Sequence, residues 1–157
     1  MFRADAPGAN DAGNNWYGKT GIVDAEQGGV VADWGTVITE TGNVGFGSGN
    51  PDISTYSVGA SLVDSNYHVA VFTWGGGKQT VYVDNRAPVS ASGVSTGARN
   101  TSAFSFGGIN TDENGAVRRF VGDLVEVRFY DAALTSVEAS NVVAELFSHS
   151  EMNVTVR

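Results

Sequence analysis

Cysteine is absent from this 157-residue chain, and with it go disulfide bridges, thiolate metal sites and cysteine nucleophiles. Basic charge is scarce: nine Lys and Arg stand against 17 Asp and Glu, a formal net charge of -8. Such a surface repels phosphate backbones and anionic bilayers, so neither nucleic acid nor membrane is expected as a partner. The same acidity serves solubility, and it also suits a protein that handles neutral glycans or a divalent cation. Long apolar runs are missing as well. Nothing approaches the length of a membrane span, and Met1 to Pro7 lacks the apolar stretch of a signal peptide, so the expectation is a chain without an export signal of its own or a mature form. His68 and His149 are the only histidines, and neither has a second His at metal spacing or a Ser or Cys nucleophile motif beside it. His68 reads as a structural strand residue and His149 as exposed.

Proline is rare, three residues against 21 glycines, a balance that favours many tight turns between short strands. The length suits one domain, 1–157, and 41% hydrophobic residues suffice for its core. Asp5 to Lys19 reads as a long loop. Strands are expected at Gly21–Glu26, Val30–Thr39, Val44–Phe46 and Thr55–Leu62, with turns at Gly28-Gly29, Gly42-Asn43 and Asn50-Pro51-Asp52. The clearest alternation is Tyr67 to Trp74, joined through Gly75-Gly76-Gly77 to Gln79–Val83 as a hairpin. Val94 to Ser102 reads as irregular, Phe104–Gly107 as a short strand, Asn110–Gly115 as an acidic loop and Phe120–Tyr130 as a strand. Asp131 or Thr135 caps a short helix over Ser136–Phe147, with Val137, Val142 and Leu146 on one face. Evenly spaced short strands with no internal repeat predict an antiparallel β-sandwich with one short helix near the C-terminus.

The order of Tyr67–Phe72, Thr80–Asn85, Phe104–Gly108, Phe120–Asp131 and Leu134–Glu138 resembles the landmarks of bacterial laminin-G-like jelly-roll domains of the concanavalin A-like type. Trp16–Glu26, Asp33-Trp34-Gly35 and Gly47–Asp52 are similar to a subset found in large secreted bacterial proteins, so the likeness covers roughly residues 16 to 147. It implies a non-catalytic module that binds a glycan or a protein, an extracellular or cell-surface setting, and in some members a calcium ion. Two departures stand out. Tyr67 occupies an inward position where many relatives have Trp, and the apolar first strand that relatives place before Phe2 is missing. Asn153-Val154-Thr155-Val156-Arg157 alternates with period two, so it is expected to fill that slot, in its own chain or as a homodimer contact with a second copy.

Concanavalin A-like folds also include glycosidases with two Glu residues on one strand face, but here Ile22 replaces the first carboxylate of Ile22-Val23-Asp24-Ala25-Glu26. Asp24 and Glu26 share a face about 6 to 7 Å apart, a weak basis for catalysis. Asp24, Asp33, Asn50, Asp52 and Asp123 are oxygen donors beside strand ends and form the candidate calcium ligands. Glycan recognition needs aromatic faces with planar polar groups beside them. Trp16 and Tyr17 in their polar loop lead the candidates, with Tyr56, Asn14, Asn15, Asn50 and Arg99. Trp34 and Trp74 alternate with apolar neighbours and read as core. Asn100-Thr101-Ser102 and Asn153-Val154-Thr155 match the N-glycosylation acceptor pattern, which a bacterial setting makes irrelevant. The resulting expectation is a carbohydrate-binding module; the other reading left open is a protein-interaction or structural domain that self-associates and has no sugar affinity.

Overall fold

A computed structural model describes residues 1–29, 31–97, 104–109 and 118–152, with the side chains of 149–152 excepted. Arg99, the Asn110–Gly115 loop, both acceptor sequons and the 153–157 tail therefore lie outside the described residues. Among the described residues ten strands appear: β1 (Phe2–Ala4), β2 (Thr20–Asp24), β3 (Trp34–Ile38), β4 (Val44–Ser48), β5 (Ile53–Tyr56), β6 (Ala70–Gly75), β7 (Lys78–Val83), β8 (Val89–Ser92), β9 (Ser105–Phe106) and β10 (Gly122–Leu124). A 3-10 turn covers Trp16–Gly18, and α1 runs Ser136–Met152. All ladders are antiparallel. One sheet has the order β5-β4-β3-β2-β9. The other is β6-β7-β8, and β1, paired with β10, is tied to its edge by a reciprocal backbone pair between Phe2 and His68. No helix among the described residues is long and apolar enough to cross a membrane.

Period-two alternation fills the space between the sheets, as a two-sheet core requires. Ile22 and Val23 of β2, Ile38, Val44 and Phe46 face Val81 and Val83 across the sandwich, with Phe2, Ala4 and Leu62 closing the ends. Trp34 and Trp74 pack against this core, as expected of them. One polar residue bridges the layers. Gln79 of β7 is fully buried; its Oε1 accepts from Ser48 Oγ (2.9 Å), and its Nε2 donates to Thr55 Oγ1 (2.8 Å) and the carbonyls of Phe46 and Ile53. Losing such a partner would strand buried groups at about 1–3 kcal/mol each.

Thr135 caps α1 reciprocally: its N–H and hydroxyl donate to Glu138 Oε2, and the Glu138 N–H returns to Thr135 Oγ1. The helix covers the outer face of the second sheet with Ala139, Val143 and Leu146 against Val69 and Val71. Val137, placed on that face by its spacing, is instead 68% exposed, because i+2 from the cap points it away from the sheet. Phe2–Ala4 forms a first strand paired with β10, and the 153–157 tail expected to stand beside it lies outside the described residues. Two further expectations are corrected. Tyr67 is a surface residue, donating to Asp123 Oδ2 with the Arg3 guanidinium over its ring. Of Phe120–Tyr130, only Gly122–Leu124 pairs as a strand.

At the entry to β6, His68 is buried between two carboxylates, Nδ1 at 2.8 Å from Asp84 Oδ2 and Nε2 at 2.9 Å from Asp64 Oδ1. The Asp84 hydrogen bond leads in holding the imidazole pKa above 6.5, against the opposing effect of burial. A folded pKa above the unfolded one makes protonation stabilising; the effect is complete below the unfolded pKa and fades as pH rises through the folded one. We predict that the stability difference between wild type and His68→Asn, from urea unfolding, shrinks between pH 6 and pH 9. A difference that widens with pH would contradict it.

Candidate functional site

Registers place Asp24, Gly35, Gly47 and Ser54 side by side on the outer face of the first sheet, with Val37, Gly45 and Tyr56 in the next row. Two glycines in the middle of a row leave a floor without side chains. Trp16 occupies it: a Cβ on Gly47 would overlap the indole, and one on Gly35 would meet both the ring and the Asp24 carboxylate. The Trp16 N–H donates to Ser54 Oγ at 3.0 Å, which pins the 3-10 turn to β5. Trp16 is therefore wholly buried, and its expected role as the exposed sugar-stacking residue is corrected. Polar neighbours in sequence signalled a loop; the glycine floor beneath that loop made its aromatic a plug. Among the described residues the indole N–H finds no acceptor, a cost of about 1–3 kcal/mol that packing of the large ring outweighs.

The plug fixes a surface above it. Asn15 Nδ2 donates to Tyr17 Oη (2.8 Å), and Tyr56 Oη donates to the Asn14 carbonyl (2.7 Å). Burial raises the pKa of Tyr56, keeping the phenol protonated as that donor. Tyr17 and Tyr56 are half-buried, and Asn14 is exposed. The structure thus gathers Asn14, Asn15, Tyr17 and Tyr56, four of the residues singled out as glycan contacts, on one face. Lys19 anchors the rim. Its buried ammonium bonds Asn10 Oδ1 (2.7 Å) and Glu40 Oε2 (2.8 Å), lies 6.0 Å from the Tyr56 ring centre, and holds the Glu40 carboxyl below its usual pKa. Sequence reading missed Lys19 and Glu40 because nothing local links residues so far apart.

The five candidate calcium ligands do not form one centre. Asp24 and Asp33 are buried at the ends of the β2–β3 connection, where Asp24 Oδ1 accepts the Glu26 N–H (2.9 Å) and Asp33 Oδ2 the Gln27 N–H (2.8 Å). Asn50 and Asp52 are exposed in the next turn. Asp123 sits in β10, paired with Arg3 at 3.0 Å, so the expectation that it joins the others is corrected: its strand belongs to the second layer. Among the described residues no three His, Asp or Glu side chains converge as a metal site. Asp24, wholly buried, is also withdrawn from any substrate, which removes the Asp24–Glu26 pair as a catalytic arrangement.

A second feature escaped sequence reading. Phe104, Phe106 and Phe129 are each about half exposed and in edge or tilted contact, Phe104 lying 5.5 Å from Phe106 and 5.4 Å from Phe129 between ring centres. The i, i+2 spacing of Phe104 and Phe106 was a signal that both point the same way.

Because the floor tolerates no Cβ, Gly47→Ala is expected to destabilise the domain by about 1–3 kcal/mol in chemical denaturation. Gly28→Ala, where a Cβ meets nothing within 4 Å, serves as the neutral control. Equal effects would mean that Trp16 does not rest where the structure places it.

Residues 10–140 match a laminin-G family model described as the concanavalin A-like lectin/glucanases superfamily. Neither a curated protein nor a solved structure matches the chain. With two antiparallel sheets, a shared core and a match over most of its length, the chain belongs to the concanavalin A-like lectin/glucanase superfamily.

Proposed function

We propose that this domain is a non-catalytic module that binds glycans on the surface formed by Asn14, Asn15, Tyr17 and Tyr56, in an extracellular or cell-surface setting. The observation that carries the reading is the buried Trp16, which holds two half-buried tyrosines, the Asn15 amide and the Asn14 carbonyl in fixed relation on one sheet face. Sugars offer C–H faces that stack on aromatic rings and hydroxyls that pair with planar amides, and a preorganised loop lowers the ordering cost of binding. Dispersal of the acidic donors favours binding that needs no metal.

A second reading, contact with a protein, is favoured by the exposed Phe104–Phe106–Phe129 cluster.

The test is a broad glycan array probed in millimolar calcium and again in EDTA. Binding to one coherent glycan class is expected in both, and Tyr17→Ala and Tyr56→Ala should each weaken it at least tenfold while leaving the urea midpoint close to wild type. Loss in EDTA would return a calcium centre to the Asp24–Asp33 end. Silence under both conditions would move the assignment to protein binding.

A further inference from the structure

The turn that follows β7 is fixed at several points. The Asp84 N–H donates to the Val69 carbonyl (2.9 Å), Asp84 Oδ1 accepts the Val69 N–H (2.9 Å), and Asp84 Oδ2 meets His68 Nδ1. The Arg86 N–H donates back to the Val83 carbonyl at 2.9 Å. Farther out, Arg86 Nη1 donates to the Ala60 carbonyl at 2.8 Å and to that of Val58 at 3.4 Å, on either side of Gly59. The guanidinium lies against that glycine, where a Cβ would be 3.4 Å from Nη1. With Nη1 held, the Nε–Nη2 edge remains, and among the described residues nothing pairs with it. Arg3, Arg118 and Arg128 differ, since each places Nε on a carboxylate of this chain. In Arg3 both atoms of the edge reach Asp5, at 3.0 and 3.4 Å. That edge matches the two coplanar oxygens of a carboxylate.

Arg86 lines an open groove of about 1000 Å³ between this turn and α1. The helical wall runs from Ser136 to Phe147, a rise of about 16 Å. Half-buried Tyr82 and exposed Asn85 and Asn141 line it too, and among the described residues neither the Tyr82 hydroxyl nor the two side-chain amides have a partner. The one carboxylate among the described lining residues, Asp84, is engaged on both oxygens, so the charge left to a ligand is that of Arg86. A net charge of -8 opposes densely charged anions such as polyphosphates, and a single carboxylate is the better match. We infer that the groove binds a uronide, a saccharide bearing a carboxylate, with that carboxylate on the Nε–Nη2 edge of Arg86 and its ring hydroxyls on Asn85, Asn141 and the Tyr82 hydroxyl. A sugar ring offers a hydroxyl at nearly every carbon to these groups, whereas a peptide brings one N–H and one carbonyl per residue. The groove shares no residue with the surface around Tyr17 and Tyr56.

Titration of the isotope-labelled protein with galacturonate, glucuronate and short oligomers of each, followed by NMR beside the neutral sugars galactose and glucose, tests this. At least one uronide is expected to shift the Arg86 Nε–H and the Asn141 side-chain amide, and to bind about tenfold or more tightly than its neutral counterpart. Arg86→Lys keeps the charge and loses the fork; Asn141→Asp sets a carboxylate beside the ligand at an exposed helix position. Each should weaken the uronide about tenfold or more, with circular dichroism spectra unchanged. Tyr17→Ala and Tyr56→Ala should leave the titration as it is, so failure here and failure of the Tyr17 surface are read separately. Uronides that bind no better than the neutral sugars overturn the inference, and so does an affinity that survives both groove variants. A response of the groove resonances to triglycine and to no uronide also overturns it and assigns the site to peptide carboxylates.

Discussion

Trp16 lies on strands that have no Cβ at the points of closest approach, and the outer face of the first sheet is arranged around that fact. Gly35 and Gly47 are neighbours only because β3 and β4 pair in one register; slipping either strand by one residue would put Thr36 or Phe46 beneath the indole and expel it. The register is in turn set by the opposite face, where Ile38, Val44 and Phe46 must enter the core. Core packing on one side of the sheet thus determines the floor on the other, and the floor determines where Tyr17 and the two asparagines stand.

The two layers are covered differently. Loop 5–19 lies over the first sheet, with Gly8 bonded to the Thr39 carbonyl and Ala9 to Thr20 Oγ1, and Gln79 locks that sheet to β7. The second layer is covered by α1 on its outer face.

Much of this was legible in the chain. Alternation placed the β6–β7 hairpin, whose two faces meet the sandwich core and α1, and the local cap signals Asp131 and Thr135 marked the start of α1, of which the structure uses Thr135. What could not be read locally was pairing across distance. Gly35 falls inside one expected strand and Gly47 just past the next; only the ladder shows that they make one floor, and so Trp16 was assigned to the surface. Asp123 was grouped with Asp24 as an oxygen donor beside a strand end, yet the topology puts them in different layers. Val37, Gly45 and Tyr56 share a row that only the ladders reveal, which is why Tyr56 was named for its chemistry without its neighbours.

The central claim is that Trp16 is a buried anchor beneath a surface built by other residues. Hydroxyl-radical footprinting of the native protein, read residue by residue by mass spectrometry, tests it directly. The account predicts that Trp16 remains unmodified while Phe106 and Phe129 oxidise readily and Tyr17 and Tyr56 fall between; oxidation of Trp16 at the rate of Phe129 would show that the indole stands in solvent and that the glycine floor does not hold it.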